Sequence, residues 1–592
     1  MPGIIGLVIN KKNNKEEAFQ AIENMQKLIT YESYYSKDKI FCDGVICASR
    51  SHTNIIQKNP QPYSESGIFI WLDGEFYNQQ DFLLWNKNVD DTALLLKLYK
   101  KNNDFAFLKK IDGIFSAVIY DSNTQKVHLI TDRYGLRHLY WLNHRGQLAW
   151  SSEVKAFLAL PEFFPKIDEQ AVKEFFEVGY LLEDRTWFKN VELLPSGTVL
   201  SFDIRSKKVL SHRYWWWDEI KIISEKIDQD EAAEELGRLF IEAVSKRSNN
   251  NKHVGLMLSG GLDSRAILAA LPDRYHHINT VTFGKKNCYE VLFAARASKL
   301  KSAPHCIVNL NSGNWLTPRI SGVWWTDGQL DLMHMHGIEG RTLVRELFKI
   351  NLNGFAGDLI LGGSYLTKYS LDKFDPISIA SIMRCDKGLI DISKYIDLKK
   401  ADYYFLQNRV RRFTFSGTKH SLTSIEHRKP FYDNALIEFV YSLPDELRFD
   451  SYIYKKMLLK TFPIFFETIP WQKTGIPIGY PRIVEKASLF SRRVKKKFLR
   501  GISCLGHKFD NRDDYVDYQT WITQEPALSF FEKVLNNSSE LYSEYIPKRQ
   551  VRDAWEGHLE GEDNSSELCR YLTFEIWLQQ VFEGKFRNGF EC

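Results

Sequence analysis

The chain has 592 residues, with 79 Lys and Arg against 74 Asp and Glu for a net charge of +5; 44% of it is hydrophobic and 26% charged. That length holds two to four ordinary domains, and the mixture fits a soluble globular protein rather than a disordered one. The near-balance of charge gives no general attraction for nucleic acid, and no apolar run approaches the roughly 18–20 residues of a membrane helix.

The opening, "MPGIIGLVINKKNNK", has no basic leader and no small-residue cleavage site, so it reads as a mature cytoplasmic N-terminus. Residues 1–210 are rich in short apolar or alternating runs: "GIIGLVI", "GIFIWLDGEF", "FSAVIYD", "KVHLITD" and "QLAWSS", separated by Asp, Gly and Asn turns. One helix is expected at "DTALLLKLYKK", 91–101, and two last strands in "ELLPSGTVLSFDIRSKKVLSHRYW". The pattern predicts an α+β domain built on antiparallel sheets. Residues 211–227 read as a linker. A helix then starts at Asp228, where Glu231 completes a capping box and Ala232, Leu236, Leu239, Phe240, Ala243 and Val244 share one face.

Next come the strand "HVGLML", the loop "SGGLDS", the helix "SRAILAAL" and the strand "INTVTFG". Strand, glycine turn, helix and strand make one unit of a parallel α/β sheet, with binding expected at the strand's carboxyl end. Beyond about residue 320 the chain reads as helical and aromatic-rich. Two domains are the economical division, 1–210 and 228–592.

In "SGGLDS" the backbone N–H groups and the helix dipole favour an anion. Gly260 and Gly261 let a phosphate approach closely, and the Asp263 carboxylate suits a cation such as Mg²⁺ bridging to phosphate. With no GKS or GKT the loop is not a Walker loop, and with no GxGxxG it is not a dinucleotide site.

"SGGLDS" is the pyrophosphate-loop signature of ATP pyrophosphatases, and its surroundings resemble asparagine synthetase and its relatives. The resemblance runs through "WLDGEFYN" (71–78), "DGIFSAVIYD" (112–121), "TDRYGLRHLYW" (131–141), "LAWSSEVKAFL" (148–158), "NGFAGDLILGG" (353–363), "IEHRKPFYDNALIEFVYSLP" (425–444) and "WQKTG" (471–475). It implies an N-terminal-nucleophile sandwich domain, class II glutaminase-like, followed by an ATP-pyrophosphatase ligase domain with a helical C-terminal part.

Enzymes of this family use ATP to adenylate a carboxylate, releasing pyrophosphate, before an amine attacks. The resemblance implies that Ser259, Gly260, Gly261, Leu262, Asp263 and Ser264 hold the nucleotide's phosphates, that Gly354 lies near the nucleotide, and that Asp263 and Asp358 hold Mg²⁺. Lys473 matches a lysine that stabilises charge in the transition states; the bland alternative is a solvated side chain. Glu426 is a candidate acid/base or positioning residue, or else a structural ion pair with a neighbour such as Arg428. Two departures stand out: Phe355 occupies the place of a glutamate and Leu359 that of a second acid. Phenylalanine neither accepts a proton nor binds an amino group, so free aspartate is disfavoured as substrate.

The family's glutaminase uses a cysteine at position 2 whose α-amine serves as base. Here that residue is Pro2, so no glutamine hydrolysis is expected. The amine then comes from free ammonia or a partner, or sits on an organic substrate and closes a ring, as in the similar β-lactam synthetases and lasso-peptide cyclases; the organic amine is preferred. The function expected is therefore ATP-dependent amide formation on a specialised carboxylate such as a peptide or amino-acid derivative. Ammonia-dependent asparagine synthesis, amidation of a sugar carboxylate and a non-catalytic scaffold are the rivals.

Four further features of the sequence bear on partners, metals and packing. "SRRVKKKFLRG" (491–501) suits docking to an acidic partner (a peptide, a phosphorylated carrier or a membrane surface) or is a solvated helix face. His334 and His336 lack a third metal ligand. The eight cysteines form no CxxC pair and read as buried or idle thiols. "LTFEIWLQQVF" (572–582) reads as a core helix, and a homodimer is an open assembly.

Overall fold

The computed structural model describes residues 2–9, 14–82, 90–102, 104–144, 146–223, 227–248, 254–272, 278–368, 375–398, 400–503, 512–535, 540–587 and 589. The N-terminal half carries strands β1 (Ile4–Val8), β2 (Ser36–Lys37), β3 (Phe41–Cys42), β4 (Ile46–His52), β5 (Tyr63–Glu65), β6 (Ile68–Phe76), β7 (Gly113–Asp121), β8 (Lys126–Thr131), β9 (Tyr140–His144), β10 (Gln147–Ser151), β11 (Glu192–Leu193), β12 (Thr198–Asp203) and β13 (Val209–Arg213). They form two antiparallel sheets, one ordered β11-β9-β10-β1-β4-β2 with β3 beside β4, the other β13-β12-β8-β7-β6-β5. Apolar side chains from both sheets, among them Ile4, Ile46, Trp71, Val118, Leu129, Leu148 and Trp150, close into one core, as two facing sheets must to bury an apolar face each. Every strand run named from the sequence in this half is a strand, and "DTALLLKLYKK" is the helix Asp91–Lys101, capped by Asp90.

The C-terminal half is built on five parallel strands, β14 (Val254–Met257), β15 (Asn279–Gly284), β16 (His305–Asn309), β17 (Ile350–Leu352) and β18 (Glu426–Arg428), ordered β16-β15-β14-β17-β18. The chain runs outward from β14 to β16, then returns to the other side of β14 with β17. The order therefore reverses between β14 and β17, where a crevice opens beyond the carboxyl ends of the strands. Helices pack around this sheet, and Leu572, Phe574, Ile576 and Trp577 of Ser565–Leu578 are buried, as a core helix requires.

Three sequence expectations are corrected. The 211–227 segment is no free linker: β13 continues to Arg213, and Tyr214, Trp215 and Trp217 are buried. Trp217 stacks on Tyr403 at 4.9 Å, so large aromatics anchor the connection in a seam between the halves. The helix Gln229–Ser248 begins with the Asp228 carboxylate accepting from the backbone N–H of Asp230 and Glu231. No reciprocal bond from Glu231 completes the box among the described residues. Finally, Cys42 and Cys47 are cross-strand partners of β3 and β4, with Cα atoms 4.3 Å apart, and form a disulfide; the tight hairpin, rather than any motif spacing, brings them together. Cys504 and Cys592 lie outside the described residues.

Candidate functional site

The crevice between β14 and β17 holds a cavity of about 300 Å³. Its walls come from the ends of four parallel strands: Met257 at the end of β14 with Leu258 just beyond it, Thr282 and Phe283 of β15, Asn351 and Asn353 around β17, and His427 of β18. Ser259, Gly261, Leu262, Asp263 and Ser264 of the glycine loop line it, together with Gly354 and Glu290.

The loop is held in shape by its own hydroxyls. Ser264 Oγ accepts from the Ser259 backbone N–H at 2.9 Å and meets Ser259 Oγ at 2.8 Å, while Gly261 N–H donates to Ser259 Oγ at 3.2 Å. The helix Asp263–Ala270 starts directly from it, and the carbonyl of buried Leu262 accepts the N–H of Ala266. Close packing requires the glycines: a Cβ on Gly354 would lie 2.9 Å from the Ser264 nitrogen, and one on Gly260 3.1 Å from Glu290 Oε2.

Asp263 and Asp358 are brought together. The Asp358 N–H donates to Asp263 Oδ2 at 2.9 Å, and the Tyr454 hydroxyl donates to Asp263 Oδ1 at 2.9 Å. Burial first, and then the negative charge of Asp358, push the Asp263 carboxyl up to about 8. Two adjacent carboxylates whose charge is resisted in this way are a donor set that a divalent cation relieves. The residues present thus fit Mg²⁺ bridging to phosphate, although no group of three His, Cys, Asp or Glu side chains is arranged for a metal among the described residues. Glu290 adds a third negative group: it accepts the Gly260 N–H, and burial holds its carboxyl up at about 6.

Lys473 sits on the neighbouring turn. Its side chain is exposed, its ammonium lies 5.1 Å from the Trp471 ring centroid, and it does not line the cavity. The turn itself is fastened to the loop. Arg265 donates to the carbonyls of Gly260, Ile469 and Pro470 at 2.8–3.0 Å, and the Gln472 N–H reaches the Gly260 carbonyl at 3.4 Å.

Glu426 lies outside the cavity, which follows from strand alternation. On β18, Glu426 and Arg428 face the N-terminal half while His427 between them faces the cavity. Arg137 joins both oxygens of Asp73 (2.8 and 2.6 Å) to Glu426 (3.0 Å), and Arg428 makes a two-pronged pair with Glu75 at 2.7 and 2.8 Å. Burial pushes the Glu426 carboxyl up against the pull of Arg137. The ion-pair partner is thus Arg137 rather than Arg428. Beside this cluster, Phe355 is buried with its ring 5.1 Å from the Lys429 ammonium, and Leu359 is buried with its carbonyl bonded to Arg448.

Of the cavity's three histidines, His336 stood out in the sequence only as half of an incomplete metal-ligand pair with His334, while His420 and His427 were missed, because they join His336 only once the chain folds. Asn351 Oδ1 accepts the Met257 N–H at 2.8 Å, which turns its amide to donate to His427 Nδ1 at 3.1 Å. The His427 proton is therefore on Nε2, which donates to Ser421 Oγ at 2.7 Å. Burial drives the pKa of His427 well down, as it does for His336, and holds that of His420 at about 3, helped by the charges of Arg319 and Arg341. The cavity wall opposite the loop, formed by Gly417, Thr418, His420, Ser421 and His427, is thus polar and uncharged. Pro2 is buried at the head of β1, and a Cβ on the adjacent Gly3 would strike Ser152 and lie 3.2 Å from Asp73.

Residues 1–215 match the glutamine amidotransferase domain family and residues 235–414 the asparagine synthase family. The chain is 23% identical to glutamine-hydrolyzing asparagine synthetase 2 of Bacillus subtilis, over 90% of this chain and 80% of that protein. It is 26% identical to glutamine-hydrolyzing asparagine synthetase of Gallus gallus, over 66% of this chain and 68% of that one. A solved B. subtilis glutamine phosphoribosylpyrophosphate amidotransferase overlaps 43% of this chain and 60% of its own at 13% identity, with a TM-score of 0.25; so loose an overlap says nothing about the site. With a glutamine amidotransferase domain followed by an asparagine synthase domain, the chain is asparagine synthetase-like, an ATP-dependent ligase that forms carbon–nitrogen bonds.

Proposed function

We propose that the protein adenylates the carboxylate of a specialised substrate, a peptide or amino-acid derivative, and joins it to an amine without hydrolysing glutamine. The observation that carries this reading is the charge distribution around the cavity. Asp263 and Glu290 are the only Asp, Glu, Lys or Arg among its described lining residues, and both belong to the phosphate end. The α-carboxylate of free aspartate would find no cation there, whereas amide or hydroxyl groups would find hydrogen-bond partners in Thr418, Ser421 and neutral imidazoles. A sugar carboxylate suits the same wall and is the second reading.

In this scheme the substrate carboxylate attacks the α-phosphorus of ATP, pyrophosphate leaves, and the amine displaces AMP from the acyl-adenylate. The N–H groups of the 259–264 loop hold the phosphates, and Asp263 and Asp358 would hold Mg²⁺, which supplies neutralising charge when bound. Lys473 serves from the rim once its ammonium leaves the face of Trp471. Pro2 supplies no thiol and no primary amine, so the N-terminal half braces β18 rather than producing ammonia. ATP supply places the reaction in the cytoplasm.

The test supplies candidate acids with ammonium, with glutamine, or with no added donor. Product forms without glutamine, and glutamine is not converted to glutamate. Glutamate release at rates near those of active relatives contradicts the proposal.

A further inference from the structure

The helix Arg482–Ser503 presents two opposite faces. Glu485, Ser488 and Arg492 recur at helical spacing on the side turned to the protein. Lys455 bonds Glu485 at 3.1 Å, Ser488 Oγ donates to the Thr474 carbonyl at 2.7 Å, and Arg492 donates to the Gln472 carbonyl at 2.8 Å. This inner face therefore grips the turn that carries Lys473. Arg492 also pairs with Asp513, so this member of the basic cluster is already engaged.

The outer face reads Ile483, Ala487, Phe490 and Val494, spaced four, three and four residues apart, so their Cβ atoms form one stripe. Ile483 is 82% exposed, Phe490 69% and Val494 51%. Lys486 and Arg493 flank the stripe on one side and Lys495 on the other, all exposed. The one acid between 483 and 495, Glu485, is on the inner face. Among the described residues nothing covers these three large apolar side chains, which stand in water between cations.

We propose that this outer face docks on an anionic lipid bilayer, with Ile483, Phe490 and Val494 in the headgroup–acyl boundary and Lys486, Arg493 and Lys495 against lipid phosphates. A convex ridge suits a planar interface better than a peptide, and no residue of this helix lines the cavities of about 300, 270 and 160 Å³. Pairing with a second copy would set like charges against each other. No helix among the described residues is long and apolar enough to cross a membrane, so the attachment is interfacial. It would hold the Lys473 turn, on the helix's other side, close to the membrane surface.

The test is flotation of the full-length protein with vesicles of phosphatidylcholine, with and without phosphatidylglycerol. The protein floats with the phosphatidylglycerol vesicles only, and added salt weakens the association. The double variant Ile483→Asp with Phe490→Asp loses at least roughly tenfold in partitioning while its melting temperature stays that of the parent, because both positions are exposed. A second variant, Lys486→Glu with Arg493→Glu, has the same effect. Failure to float, or flotation unaffected by the variants, overturns the proposal. So does a dimer that the variants dissociate, or binding of poly-glutamate in place of vesicles. None of these outcomes touches the ligase reading, which is tested by product formation.

Discussion

Asp263 carries the clearest residue-level consequence. Its carboxyl sits at about 8 in the folded protein against the ordinary 3.8 of an aspartate in water. Below about pH 4 it is protonated in folded and unfolded chains alike. Between about pH 4 and 8 the unfolded chain releases this proton while the folded chain keeps it, so the site's contribution to stability falls as pH rises through that window. Asp263→Asn therefore melts higher than the parent by a margin that grows from pH 5 to pH 8, and thermal melts across that range measure it. Arg137 makes the opposite kind of contribution. Asp73, Arg137 and Glu426 are all buried, so Arg137→Ala leaves two carboxylates without their cation and costs about 3–5 kcal/mol in denaturant titrations. Pro2, Asp263 and Phe355 were legible in the sequence because each stands in a short contiguous motif. His420 and His427 were not, since nothing local distinguishes a cavity histidine from a core one.

At the scale of the element, β18 decides more than its three residues suggest. Its alternation sends Glu426 and Arg428 to Asp73, Arg137 and Glu75, and His427 to the cavity. The sequence motif "IEHRKPF" marked the strand as important but could not say which way each side chain points, because that depends on the register with β17. The glycine loop, by contrast, was legible with its flanking strand and helix, since strand, turn and helix are contiguous. Gly357 tests how tightly the loop is fitted: a Cβ there would lie 2.7 Å from both Asp263 Cγ and Phe431 Cζ. Gly357→Ala displaces the carboxylate, destabilises the fold by roughly 1–3 kcal/mol and raises the KM for ATP, as steady-state kinetics with varied ATP would show. The 211–227 segment misled for a physical reason. Its Trp and Tyr residues look like a polar-flanked connector in one dimension, while Trp217 is covered by Tyr403 and Tyr441 from much later in the chain.

Across the whole molecule, the two antiparallel sheets and the parallel sheet follow from local alternation, turn residues and the βαβ unit around the glycine loop. What one-dimensional reading lacked was the contact between halves, where Asp73 and Glu75 of β6 meet β18 through Arg137 and Arg428. That contact gives the N-terminal half a structural role: it fixes the strand that carries His427. Within "DGEFYN" and "DRYGLRH", Glu75, Arg133 and Arg137 reach Arg428, Glu438 and Glu426 across this interface, while Asp73 holds Arg137 in place. The central claim is that this scaffold activates a carboxylate at the 259–264 loop. The most direct measurement is formation of AMP and pyrophosphate from Mg·ATP over a panel of carboxylic acids, for the parent protein and for Asp263→Ala. The account predicts AMP and pyrophosphate in equal amounts with at least one acid, and a loss of at least about 100-fold in the variant. Release of ADP and phosphate instead, or an Asp263→Ala protein as active as its parent, would contradict it.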